Sequence, residues 1–131
     1  MLRQPAREVR GLERAQVPVQ PGVYLWRRGG VVMYVGTASS LRGRLWSKHL
    51  GAGLSLAGSS LRRNVCELLF GIPPTVTSNP DREKVTKPQA EAIRAWLLGC
   101  DLSWQTCETP AEAGLLETRL RAAYMPSLNR I

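Results

Sequence analysis

Two tyrosines, Tyr24 and Tyr34, sit in short runs of β-branched and aromatic residues, and one glutamate, Glu117, stands where an apolar side chain is expected. A phenol can accept or pass a proton. A carboxylate set into an apolar stripe costs several kcal/mol unless it meets a cation, a metal or the rim of a cleft. Beyond Tyr34, Arg44 and Lys48 share a helical face with Leu41 and Leu45 at i, i+3, i+4, i+7. Arginine holds phosphate-like oxyanions through two parallel hydrogen bonds, so these cations suit an anionic substrate. A structural ion pair between Glu117 and Arg44 accounts for the carboxylate equally well. Tyrosine titrates near pH ~10, so a base role requires nearby cations, and Arg44 and Lys48 are the candidates.

The elements that must position these groups are read from pattern. Val23 to Trp26 and Val31 to Val35 form a hairpin around Arg27, Arg28, Gly29 and Gly30. A three-residue loop, Arg28 to Gly30, sets Tyr24 opposite Tyr34 and Leu25 opposite Met33. One face is then Val23, Leu25, Met33 and Val35, and the other Tyr24, Trp26, Val32 and Tyr34. Ser39 or Ser40 caps the helix that carries Arg44. Asp101 to Glu108 alternates and reads as a third strand over 102–107. Thr109, Pro110 and Glu112 make a capping box, so a last helix runs to about Tyr124. Its stripe is Ala113, Leu116, Leu120 and Tyr124, with Glu117 inside it.

Gly22-Val23-Tyr24, Tyr34-Val35-Gly36, Leu41 and Arg44, together with Ala113, Leu116, Glu117, Tyr124, Pro126, Leu128 and Asn129, resemble the GIY-YIG nuclease superfamily. The resemblance leaves residues 52–101 unassigned. It implies an α+β fold: a small three-stranded antiparallel sheet flanked by helices, with a helical and loop insertion over 51–100. Helices would pack on the apolar face, and the tyrosine face would form the cleft. The implied activity is that of a divalent-metal-dependent endonuclease hydrolysing DNA phosphodiester bonds with Mg²⁺ or Mn²⁺. By that resemblance Glu117 anchors the metal, Arg44 holds the phosphate, Tyr24 or Tyr34 activates water, and Asn129 orients a loop or a phosphate. Many members carry histidine or tyrosine one helical turn after the arginine. This chain has Lys48 there and His49 one position later, about 100° further round an α-helix, which would carry the imidazole away from the site. Lys48 and His49 are therefore auxiliary candidates. The alternative is a catalytically weak module that binds nucleic acid through the same surface.

Composition bounds the reading. A chain of 131 residues, 44% hydrophobic and 21% charged, suits one globular domain with no room for a separate DNA-binding module. No apolar run reaches membrane-spanning length and no secretory signal is evident, so a cytoplasmic location is expected. Cys66, Cys100 and Cys107 lack C-x-x-C spacing and share the chain with one histidine, which reads as reduced core thiols rather than a zinc site. The net charge is +8, and it is uneven. Residues 1–63 hold eleven Lys or Arg against two Glu, while residues 64–131 hold seven against eight acids. A basic side of this kind attracts polyanions, and DNA is the expected partner.

The remaining segments add expectations. Arg3, Arg7, Arg10 and Arg14 suit one basic helix face or a loose arm, outside the first sheet. Ser59 or Ser60 caps a helix whose Leu61, Val65, Leu68 and Leu69 face inward. Arg62 and Arg63 in its first turn oppose the helix dipole; an anion docked there would explain them, and an accident of sequence explains them at least as well. Together with Arg27, Arg28, Arg42, Arg44 and Lys48 they make the expected nucleic-acid surface. Residues 71–81 carry three prolines and read as an extended loop. Pro88 then opens a helix that Gly99 ends, with Ala92, Ile93, Trp96 and Leu97 apolar.

Overall fold

The computed structural model describes residues 6–51, 53–79 and 85–129. Strands β1 (Arg7–Glu8), β2 (Gly22–Arg28), β3 (Val31–Ala38) and β4 (Asp101–Thr106) form one antiparallel sheet in the order β1-β4-β2-β3. A π-helical segment, Gly43–His49, follows β3. Four α-helices complete the fold: α1 (Ser60–Phe70), α2 (Pro74–Thr77), α3 (Lys87–Leu98) and α4 (Pro110–Tyr124). Among the described residues no helix is long and apolar enough to cross a membrane.

The α+β class stands, with one strand more than expected, because the N-terminal flank joins the sheet. Arg7 pairs with Leu102 and Glu8 with Asp101, and two 3-10 turns, Val9–Gly11 and Arg14–Gln16, follow. Arginine spacing suggested a helix here, but the buried Val9, Leu12 and Val17 set the path. Each such side chain contributes about 1.5–3 kcal/mol on burial, more than exposed arginines gain by sharing a face. Arg3 lies outside the described residues.

The hairpin also differs from the sequence reading. Its loop has two residues, Gly29 and Gly30, both at positive φ (58° and 79°), and Arg28 pairs with Val31. Such a turn matches the twist of the flanking strands. Trp26, not Tyr24, then lies opposite Tyr34, and Tyr24 lies opposite Gly36. The register shifts between Trp26 and Arg27, which leaves Met33 as the extra residue of a β-bulge. The bulge exchanges two side chains between faces. Val32 joins Val23, Leu25 and Val35, while Met33 packs with the tyrosine side. Because the register slips by an even number, both tyrosines still emerge on one face.

Both faces of the sheet are covered, which corrects the expected open tyrosine face. Helix α4 packs Leu120, Leu116 and Tyr124 on Val23, Leu25 and Val35. On the other side Tyr24, Trp26, Leu102 and Trp104 belong to the main core with Leu41, Leu45, Leu61, Val65, Ile93 and Leu97. The 51–100 stretch is thus the lid of the tyrosine layer. Within it, Leu68 and Leu69 are exposed rather than buried, since α1 leaves the core after Cys66. Pro74 takes the first position of a one-turn helix, where its missing N–H costs nothing, so the proline-rich loop is partly helical. Pro80 and Asp81 lie outside the described residues.

The chain's end seals the sheet's free edge. Leu128 N–H donates to Met33 C=O, and the Asn129 amide pairs with both N–H and C=O of Val35 at 2.7 Å each. Asn64 Nδ2 donates to Leu128 C=O at 2.7 Å and fixes this segment from α1. An unpaired edge strand is thereby closed, except where the site needs it open.

Candidate active site

Tyr24 reaches the site because β3 lacks a side chain opposite it. A Cβ on Gly36 would stand 2.5 Å from both Cζ and the hydroxyl oxygen of Tyr24, so only glycine lets the ring lie across the edge strand. Tyr34 stacks beside it with ring centroids 6.3 Å apart. The two hydroxyls have different partners. Tyr34 OH lies 2.6 Å from Ser60 Oγ, and Tyr24 OH lies 2.5 Å from His49 Nε2.

The contact with His49 overturns the expectation that this residue points away. Residues 43–49 are π-helical, and Leu50 N–H donates to Leu45 C=O, five residues back. A π-turn carries one more residue than an α-turn, so His49, at i+5 from Arg44, falls where i+4 would fall in an α-helix. The imidazole is buried among Tyr24, Trp26 and Tyr34. Its Nδ1 lies 2.6 Å from Ser59 Oγ, which also accepts the N–H of Arg62 as the N-cap of α1. Burial, reinforced by the charges of Arg44, Arg62 and Arg63, lowers the His49 pKa to about 3, so the ring is neutral. Burial raises the Tyr24 phenol well above its ordinary value. Tyr34 adds to that rise, Arg44 opposes it, and Glu117 adds again.

Arg44 and Glu117 therefore act on the same hydroxyl from opposite signs. Arg44 is exposed and Glu117 half-buried. The Glu117–Arg44 ion pair considered from the sequence is not formed, and among the described residues neither side chain has a hydrogen-bond partner. Arg44 and Lys48 line a groove of about 280 Å³ with Ser39, Ser40, Gly43 and Ser47. Asn129 stands at the site's edge, with its amide committed to Val35.

The other expected cations divide. Arg62 is buried, with Nη2 donating to Gly53 C=O at 2.6 Å and Nη1 to Ser55 C=O at 3.4 Å. Arg63 Nη1 donates to Leu56 and Ala57 C=O. These two hold the 53–57 loop; the buried Arg62 is turned away from solvent, against the sequence reading, while Arg63 is half-buried. The loop's carbonyls are distant partners, invisible to a local pattern. Arg42 Nε donates to Val17 C=O at 2.8 Å, and Arg27 Nη1 to Ser103 Oγ at 3.2 Å. Arg28 Nη1 donates to Trp96 C=O at 2.7 Å and the guanidinium lies over the Trp96 ring. Arg44 and Lys48 keep their charged heads in water.

Ser59 and Ser60, named from the sequence only as caps, are the residues that contact the catalytic candidates. Their one signal was adjacency at a helix start facing the tyrosine layer. As a metal position, Glu117 fits one hard cation that retains most of its water, since magnesium commonly takes one or two carboxylates. Among the described residues no cluster of three or more His, Cys, Asp or Glu could form a closed cage. His49 is no ligand, because both its nitrogens are engaged.

Three similarities accompany this geometry. The GIY-YIG catalytic domain family matches residues 7–130. UvrABC system protein C of Deinococcus radiodurans is 51% identical over 37 residues, and that of Thermus thermophilus 51% over 39. These matches cover 28% and 30% of this chain and only 6% and 7% of those proteins. The magnesium-bound GIY-YIG N-terminal endonuclease domain of UvrC from Thermotoga maritima covers 89% of this chain and 91% of its own, with TM-score 0.48 and 22% identity. From residue 7 to residue 130, tyrosine layer, arginine segment and glutamate helix included, the chain belongs to the GIY-YIG catalytic domain family.

Proposed function

We propose that this chain is a divalent-metal-dependent endonuclease that hydrolyses DNA phosphodiester bonds, with Glu117 anchoring Mg²⁺ or Mn²⁺ and Arg44 holding the scissile phosphate. The observation that supports the reading is the pairing of opposite charges, Arg44 and Glu117, around one buried phenol, neither of them with a hydrogen-bond partner among the described residues. Arg62 and Arg63, the cations of the neighbouring turn, are engaged with loop carbonyls. A divalent ion held by Glu117 supplies charge neutralisation at a phosphoryl oxygen. Arg44 binds the phosphate and aligns it, and Lys48, on the same groove, guides the strand. Tyr24 or Tyr34 orients the attacking water through its phenolic oxygen, and takes up the water's proton after giving its own phenolic proton to solvent. Neutralising Glu117 removes one of the influences that raise Tyr24, and Arg44 already works in that direction. Asn129 holds β3 in place beneath the tyrosines. Three free, buried cysteines agree with a reducing, cytoplasmic setting.

A second reading, a catalytically weak binding module, draws on the burial that disfavours the Tyr24 phenolate. Incubation of the purified protein with supercoiled plasmid and Mg²⁺ separates the two. Nicking that chelator abolishes and Glu117→Ala removes supports the endonuclease. DNA binding without metal-dependent nicking supports the module.

A further inference from the structure

The tyrosine, the histidine and the N-cap serine of α1 form a chain of hydrogen bonds whose direction has consequences for the chemistry. It runs from Tyr24 OH through His49 Nε2 and Nδ1 to Ser59 Oγ, and ends at the N–H of Arg62. Three protons belong to it, one each on Tyr24, neutral His49 and Ser59, and two gaps lie between the three groups. One proton must therefore point out of the chain, either at the Ser59 end or at the Tyr24 end.

The two ends are unequal. With Nδ1 protonated, Ser59 Oγ accepts from both His49 and Arg62, and its own O–H is turned outward. Ser59 is buried, and among the described residues the structure gives that hydroxyl no third partner. Tyr24 is buried to the same degree, and among the described residues its hydroxyl has no hydrogen-bond partner besides His49, so the cost of a buried donor weighs on both ends alike and the surrounding charge decides between them. The surroundings of Ser59 are positive, from the start of α1 and from Arg62 and Arg63. With Nε2 protonated, Ser59 donates to Nδ1 while accepting from Arg62, and both its roles are satisfied. His49 then donates to the Tyr24 oxygen. The outward proton is that of Tyr24, on which the negative charge of Glu117 acts and which Arg44 and Tyr34 also face.

We propose that Ser59 is a positioning residue that locks His49 in the Nε2–H tautomer, so that His49 is a hydrogen-bond donor to Tyr24 rather than its base. The inference deepens the endonuclease reading and rests on it for its catalytic meaning. In that role His49 would stabilise negative charge on the Tyr24 oxygen when the outward phenolic proton passes to solvent, and would itself remain neutral throughout. The π-turn that brings His49 to Tyr24 and the serine cap that orients it are then two parts of one arrangement.

The test uses the fact that His49 is the single histidine of the chain. A ¹⁵N-labelled histidine spectrum of the intact protein shows one ring, and the protonated nitrogen is read directly. The expected result is a proton on Nε2 and none on Nδ1 across neutral pH. Ser59→Thr, which keeps both hydroxyl roles, preserves that pattern, and Ser59→Ala raises the Nδ1–H population. If the alanine variant does not fold, the wild-type and threonine spectra still decide. A wild-type ring protonated on Nδ1, or two tautomers at comparable population, overturns the proposal. The spectrum is independent of DNA cleavage, so a failure of the endonuclease reading shows in the plasmid assay alone.

Discussion

Two arginine-bearing turns face the same tyrosine layer, and they treat their charges in opposite ways. On the π-helical segment, Arg44 and Lys48 stand in solvent on an open groove, while Leu41 and Leu45 below them are fully buried. On the first turn of α1, Arg62 and Arg63 are bent back onto carbonyls of residues 53–57. Sequence gave both pairs the same reading as phosphate contacts. The difference lies in what else is within reach. Four loop carbonyls wait for Arg62 and Arg63, and a buried guanidinium is tolerable only with such partners. Among the described residues no carbonyl accepts from Arg44, and in the proposed function its charge serves a ligand.

That contrast sets the largest expected effect. Arg44→Ala should lower plasmid cleavage by roughly 10²–10³-fold, the scale of losing a donor to developing charge, with the melting temperature unchanged. An Arg44 variant that unfolds instead would make it structural, like Arg62. Gly36→Ala should cost about 100-fold in cleavage, because the new Cβ must displace the Tyr24 ring from His49 and small misplacements are costly. The ¹⁵N spectrum of His49 reports whether the contact was lost.

Arg62→Ala should move in the other direction, destabilising the fold by about 1–3 kcal/mol in urea titration, since its buried carbonyl partners lose their donor. Its effect on the salt dependence of DNA binding should be near zero. Removing Arg44 and Lys48 together should flatten the slope of log affinity against log salt by about 2, at ~0.9 per phosphate contact. Equal salt effects from the two pairs would erase the distinction drawn between them.

A further effect is a pH dependence. The folded-state pKa of His49, about 3, lies below the ordinary value near ~6.5. Between those values the unfolded chain binds a proton that the folded chain refuses. Stability from this group is thus full above pH ~6.5 and declines as pH falls toward 3, by at most about 1.4 kcal/mol per pH unit. Urea titrations from pH 7 down to 4 should show a shallower decline for His49→Gln than for the wild type.

What could be read locally was read well. Thr109 and Pro110 fixed the start of α4, since a cap and its first turn are decided by neighbours in sequence. Tyr24 and Tyr34 came out on one face because strand parity survives an even slip. The features that escaped are those settled by distant partners. Leu128 N–H takes the C=O of Met33, the residue left extra by the bulge, from the far end of the chain. The π-turn is bound up with His49, which it seats between Tyr24 and Ser59, and nothing within residues 43–49 announces it. Of the candidate site, residue types were legible, but the division of cations between loop and ligand was not.

The carboxylate of Glu117, without a hydrogen-bond partner among the described residues, is proposed to hold the metal that cleavage requires. Glu117→Gln keeps size and hydrogen-bonding capacity and removes only the charge, so a metal titration of plasmid nicking, run beside a DNA-binding measurement, isolates that role. The account predicts that nicking is lost at every Mg²⁺ or Mn²⁺ concentration while DNA affinity is unchanged or slightly raised, because a repelling charge has gone from a basic surface. Undiminished nicking by Glu117→Gln would contradict it.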